Sequence, residues 1–128
     1  MILRLSQKKK KYKEKDMIYK SFKDTELFEG PTNKTYEYTI EDKDINYCIV
    51  DIDGRFPKEK WAINHKCKEM AHVLSGSGIL VVEGKEYHLV QDDVVLIAAN
   101  EKYYWEGKMR LGIPCSPAWH PEQHEDID

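Results

Sequence analysis

Between Trp61 and Ile113 the chain leaves no room for a long helix. It offers a run of short β-branched or aromatic segments, each stopped within a few residues by Gly, Asp, Asn or Lys. The segments are Trp61 to His65, Met70 to Ser75, Ile79 to Val82, Glu86 to Val90, Val94 to Ala99, Tyr103 to Glu106 and Met109 to Ile113, with a hairpin at Glu83-Gly84-Lys85. Many short strands with regular turn signals predict an all-β sandwich or barrel. Upstream, Tyr36 to Glu41 alternates apolar and polar, as a strand with one wet face does, and Ile45 to Ile52 is β-branched and aromatic. Residues 17 to 34 show no sustained period and read as irregular, with a turn at Gly30-Pro31-Thr32-Asn33. Ser75-Gly76-Ser77-Gly78 reads as a second turn, because glycine tolerates positive φ. Pro114, Pro117 and Pro121 argue against central strand pairing in a Pro-rich tail. In that tail Pro121 to Glu125 offers at most one helical turn, and 126 to 128 should fray.

With 128 residues the chain makes one domain. Its charge is unevenly spread: residues 1–16 carry seven Lys or Arg against Glu14 and Asp16, so the overall −3 leaves −8 for residues 17–128. The basic end reads as a disordered extension and 17–128 as the folded domain. A protein-wide basic footprint for nucleic acid is absent. No apolar run has the length of a membrane span, so a cytoplasmic protein with no membrane partner is expected. Cys48, Cys67 and Cys115 are odd in number and form no C-x-x-C, which argues against a disulfide framework or zinc ribbon.

The layout from Ile63-Asn64-His65-Lys66-Cys67-Lys68-Glu69 through Gly76 to Tyr103 and Gly107 resembles the cupin family. That family carries the motifs G-x5-H-x-H-x3,4-E-x6-G and G-x5-P-x-G-x2-H-x3-N, whose three His and one Glu hold a divalent metal in a small barrel. Placed on this chain, the second His falls on His65, the Glu on Glu69 and the closing Gly on Gly76. The first His falls on Ile63 and the third on Tyr103, while Asp92, Ala98, Asn100 and Gly107 replace the other letters of the second motif. The resemblance covers roughly residues 45–117. It implies a single jelly-roll barrel with the tail running back along it, and a homodimer.

On this reading Ile63 and His65 point inward together, since residues two apart share a strand face. His65, Glu69 and Tyr103 are then the catalytic candidates. His65 and Glu69, with Cys67 as a weaker third, could hold Zn, Mn, Fe or Ni. Ile63, Cys67, Trp105 and Met109 would line a ligand space. His65 has a second reading, as a buried imidazole bonded to Tyr103 or Glu69. Without an ion, a carboxylate inside an apolar barrel has its pKa raised by desolvation. His72, His88, Tyr87 and Tyr104 are expected on outward faces, and His120 and His124 are spaced to share one face of a helix. Two functions remain open: a module binding a small polar ligand of sugar or carboxylate type, with at most a weak or altered metal site, or a metal-dependent isomerase, epimerase or dioxygenase using His65 and Glu69.

Overall fold

A computed structural model describes residues 17–128, and the reading of residues 1–16 lies outside them. The described chain is all-β. Nine strands run as β1 (Glu26–Glu29), β2 (Asn33–Tyr38), β3 (Asn46–Phe56), β4 (Trp61–Asn64), β5 (Lys68–Val82), β6 (Lys85–Leu89), β7 (Val94–Ile97), β8 (Tyr103–Ser116) and β9 (His124–Ile127). They form one antiparallel sheet whose order is β1-β2-β3-β8-β4-β9, with β5 pairing β6, β7 and β8. β8 is the spine, bonded along its length to β3 and β5 and at its start to β4. Trp105, Leu80, Leu111, Val73 and Cys67 form its fully buried heart, each large apolar side chain there contributing about 2 kcal/mol by leaving water.

Several expected breaks are absent. Ser75 to Gly78 is not a turn but the middle of β5, with a bulge between Val73 and Ser75. Tyr103 to Glu106 and Met109 to Ile113 are one strand, continuous through Gly107. The glycines serve close approach: a Cβ on Gly107 would lie 2.6 Å from the Cα of Gly78, and Gly107 has φ of +141°. Pro114 does enter a central strand. It keeps its partner Tyr47 on β3, while the ladder to β5 lapses between Cys115 and Gly112.

Residues 17–34, aperiodic in sequence, include a 3-10 turn over Phe22–Asp24 and all of β1. Packing supplies what periodicity lacks, since Phe22 rests on Tyr36 with ring centroids 4.9 Å apart. The chain end does not fray either: β9 pairs with β4, setting Trp61 opposite Ile127 and Asn64 opposite His124. The Glu83-Gly84 hairpin forms where expected, with φ of +50° and +79° at its two central residues, the signature of a tight primed turn. No helix among the described residues is long and apolar enough to cross a membrane.

Candidate functional site

A cavity of about 660 Å³ opens between the inner faces of β1 to β5 and β8, with the tail from Trp119 to His124 along its rim. At its inner end lies Glu69, 6% exposed, in a row of cross-strand partners that runs Asn46, Cys115, Glu69. The Tyr103 hydroxyl donates to Glu69 Oε1 at 3.0 Å, and Asn64 Nδ2 donates to the same oxygen at 3.1 Å. Oε2 has no hydrogen-bond partner among the described residues, so one carboxyl oxygen is anchored and the other is left over.

Asn64 organises the surroundings. Its Oδ1 accepts from Trp119 Nε1 at 3.0 Å, Gln123 Nε2 at 2.9 Å and His124 Nδ1 at 2.8 Å. An indole N–H can only donate, so Trp119 fixes which end of the amide faces the tail and which faces Glu69. Gln123 in turn accepts the backbone N–H groups of Lys66 and Cys67, both at 3.1 Å, and this clamps the tail to the turn that leads into β5.

Burial pushes the Glu69 carboxyl up to about 7, against the opposing pull of the two hydrogen bonds from Tyr103 and Asn64. Burial likewise raises the Tyr103 phenol well above its usual range, helped by the negative charge of Glu69. With no cation at hand, desolvation outweighs the hydrogen bonds that would favour the anion.

His65 is not inside the barrel. Its side chain is 46% exposed, its Nε2 lies 2.8 Å from Glu125 Oε1, and its Nδ1 lies 3.2 Å from Asn100 Oδ1. The hydrogen bond to Glu125 raises its pKa, with a further contribution from Asn100. The expected parity is off by one residue, which in a strand sends every side chain to the other face. Ala62 faces the cavity opposite Tyr103, and Asn64 turns the same way to reach Glu69 and the Tyr103 hydroxyl. Trp61, Ile63 and His65 take the other face, where Trp61 packs edge-on against Tyr104 at 5.1 Å. The motif's three-or-four spacing already admitted this register: four residues between the second His and Glu69 place the His pair on Ala62 and Asn64.

The other candidates divide. Glu69, Tyr103 and Trp105 all line the cavity. Ile63 is buried but lies outside its wall. Cys67 is buried against Cys115; this thiol contact lowers the Cys67 pKa and, with burial, raises that of Cys115, and only Cys115 reaches the cavity. Met109 packs in the core beside Gly78, away from this cavity. His72 and His88 point outward, as expected, beside Asp92 and Glu86. His120 and His124 share no helix; they flank a 3-10 turn over Pro121–Gln123, and both line the cavity rim. Asn64, Gln123, Glu26 and Glu37 are the site residues that sequence reasoning missed, while His124, weighed there with His120, reaches the site from the start of β9 and not from a helix.

These side chains do not fit the divalent ion that the resemblance implies. The amide N–H of Asn64 and the hydroxyl of Tyr103 are both spent on Glu69 Oε1, and Asn64 Oδ1 already accepts three donors. Among the described residues no three His, Cys, Asp or Glu side chains form a metal-holding group.

No protein-family model matches the sequence, and no curated protein matches it either. Solved structures do match in fold. Streptomyces Pac13, described as a nucleoside dehydratase and also solved in variants with uridine, is 16% identical with a TM-score of 0.80, covering 87% of this chain and 92% of its own. Ectoine synthase from P. lautus is 16% identical with a TM-score of 0.70, over 88% and 91% of the two chains. The Schizosaccharomyces pombe Cnp3 cupin domain is 16% identical with a TM-score of 0.62, over 78% and 74%. The chain therefore has the cupin fold.

Proposed function

We propose that this cupin-fold chain binds a small hydroxylated organic molecule inside its barrel and moves a proton on it with Glu69, without a metal. The single observation that carries this is the buried Glu69 carboxyl on the cavity wall, raised to about 7, with one oxygen anchored and the other without a partner. A carboxyl that titrates near neutrality is suited to general base work. Ionised, its free oxygen takes a proton from carbon or hydroxyl. It then returns that proton to a departing hydroxyl, which leaves as water, or to a neighbouring carbon in an isomerisation. Asn64 and Tyr103 are positioning residues that hold the carboxyl in place.

A cavity of this size, largely apolar with a few convergent polar groups, suits a small molecule. Of the two ligand types expected from sequence, the sugar type is favoured over the carboxylate type: Glu26, Glu37 and Glu69 line the cavity and no Lys or Arg does. The similarity in fold to a nucleoside dehydratase supports the same choice. The metal-dependent alternative loses its second ligand, because His65 faces solvent. A homodimer belongs to this reading, with the outward face of β5 and β7 as its surface. There Met70 lies opposite Leu96 and His72 opposite Val94, and the three apolar side chains are 41–58% exposed. Sedimentation of the purified protein tests that part.

Uridine is the first probe for the site. Titration is expected to raise the melting temperature by mass action, and mass spectrometry is expected to detect water loss from hydroxylated nucleosides that bind. Glu69→Gln should bind as well as the wild type and turn over at least 100-fold more slowly. Turnover that survives this substitution would remove Glu69 from the chemistry, and a panel of sugars and nucleosides that never shifts the melting curve would remove the binding reading.

A further inference from the structure

The inner face of the β1–β2 pair carries two carboxylates where the outer face carries an ion pair. On the outer face, Glu29 stands opposite Lys34, with 4.0 Å between their charged atoms. On the inner face, Glu26 stands opposite Glu37, an acid against an acid. Side chains directly opposed in this way have Cβ atoms about 5 Å apart, and like charges there are destabilising. Both carboxylates line the cavity, in a row that continues through Cys48 to Ile113.

Glu26 is exposed to solvent, which screens its side of the pair. Glu37 is half-buried and its pKa is raised, first by burial and then by Glu26. No Lys or Arg lines the cavity, where His120 and His124 at the rim are the basic side chains, and neither carboxylate has an ion-pair partner among the described residues. The third cavity carboxyl, Glu69, is more than nine-tenths buried and keeps an oxygen without a partner. Phe28, Tyr38 and Trp105 supply aromatic surface to the same space, the companion that a desolvated organic cation favours.

We propose that the cavity selects ligands that carry a positively charged nitrogen, which sits between Glu26 and Glu37 while the reacting part of the molecule lies at Glu69. The proposal rests on the reading of the barrel as a small-molecule site and adds the ligand's charge. The like-charged pair, unfavourable in the empty protein, becomes the feature that separates an amine from its uncharged isostere.

The test uses 2-phenylethylamine and 2-phenylethanol, which share an aromatic body and differ in the charged group. Binding is read by quenching of tryptophan fluorescence at pH 7.5 in the full chain, in Glu26→Gln/Glu37→Gln and in Glu69→Gln. The amine is expected to bind the wild type about tenfold more tightly than the alcohol, a difference of ~1.4 kcal/mol. The preference should fall below twofold in the double variant, with affinity for the alcohol unchanged, and should persist in Glu69→Gln.

Equal affinity of the wild type for the two probes would overturn the proposal and leave the small-molecule reading standing. So would an amine preference that survives the double substitution. Competition by magnesium as strong as by the amine would assign the pair to an inorganic cation and overturn it too. Failure of both probes, together with failure of uridine, would overturn the small-molecule reading along with it.

Discussion

Asn64 makes five hydrogen bonds through one side-chain amide, two towards the cavity and three towards the tail. Replacing it with Ala leaves the Trp119 indole and the Gln123 amide facing an apolar gap, so Asn64→Ala is expected to cost roughly 3 kcal/mol in urea denaturation. His65→Ala, at an exposed pair, should leave both the melting temperature and ligand binding where they were. Glu69 offers a sharper measurement. Its folded-state pKa lies above its unfolded value, so the stability it lends is complete below about pH 4.5 and is lost as pH rises through about 7. Against Glu69→Gln, which keeps an oxygen for Tyr103 and Asn64, the wild type should lose roughly 3 kcal/mol across that window. Parallel pH profiles for the two proteins would contradict the raised pKa. The same ionisation should appear as a rate that falls below about pH 7.

At the scale of elements, the long pairing of β5 with β8 and the clamp on β9 carry the site. β5 and β8 pass within backbone contact at Gly78 and Gly107, where an added methyl group has no space. Gly107→Ala should therefore destabilise by about 3 kcal/mol or more, from the clash and from strain at positive φ. Gln123 holds β9 through two backbone N–H groups of the turn before β5. In Gln123→Ala those donors lose their acceptor, and hydrogen exchange at Lys66 and Cys67 should quicken markedly while β3 and β8 stay protected. Unchanged exchange at those amides would show that the tail does not depend on this clamp.

For the whole molecule, the carboxylates of the cavity set stability against recognition. Glu26→Gln/Glu37→Gln should raise the stability of the ligand-free protein by about 0.5 kcal/mol, because it removes a like-charged cross-strand pair. A decrease would show that the two acids have a stabilising partner. The all-β class and the Glu83-Gly84 hairpin were legible in the chain, since each depends on local pattern or turn chemistry. Glu69 and Tyr103 were legible as neighbours because motif spacing survives the loss of motif letters, and Trp105 because it is two residues from Tyr103 on the same strand face. The continuity of β5 and β8 through their glycines was not, because a glycine that opens a turn and one that admits a neighbouring backbone look alike in sequence.

The order of apolar and polar residues determined that this chain curls a sheet around one core, and the motif spacing of the resemblance implied that an acid and a phenol meet in it. Which of two adjacent residues on β4 joins them was decided only by tertiary structure. His65 and Asn64 differ by one step of the strand, and that step inverts the face. Local pattern leaves the step open until Trp61 packs on Tyr104 and β9 brings His124 and Gln123 against Asn64. Those contacts join residues far apart in the chain, and only the closed sheet brings them together.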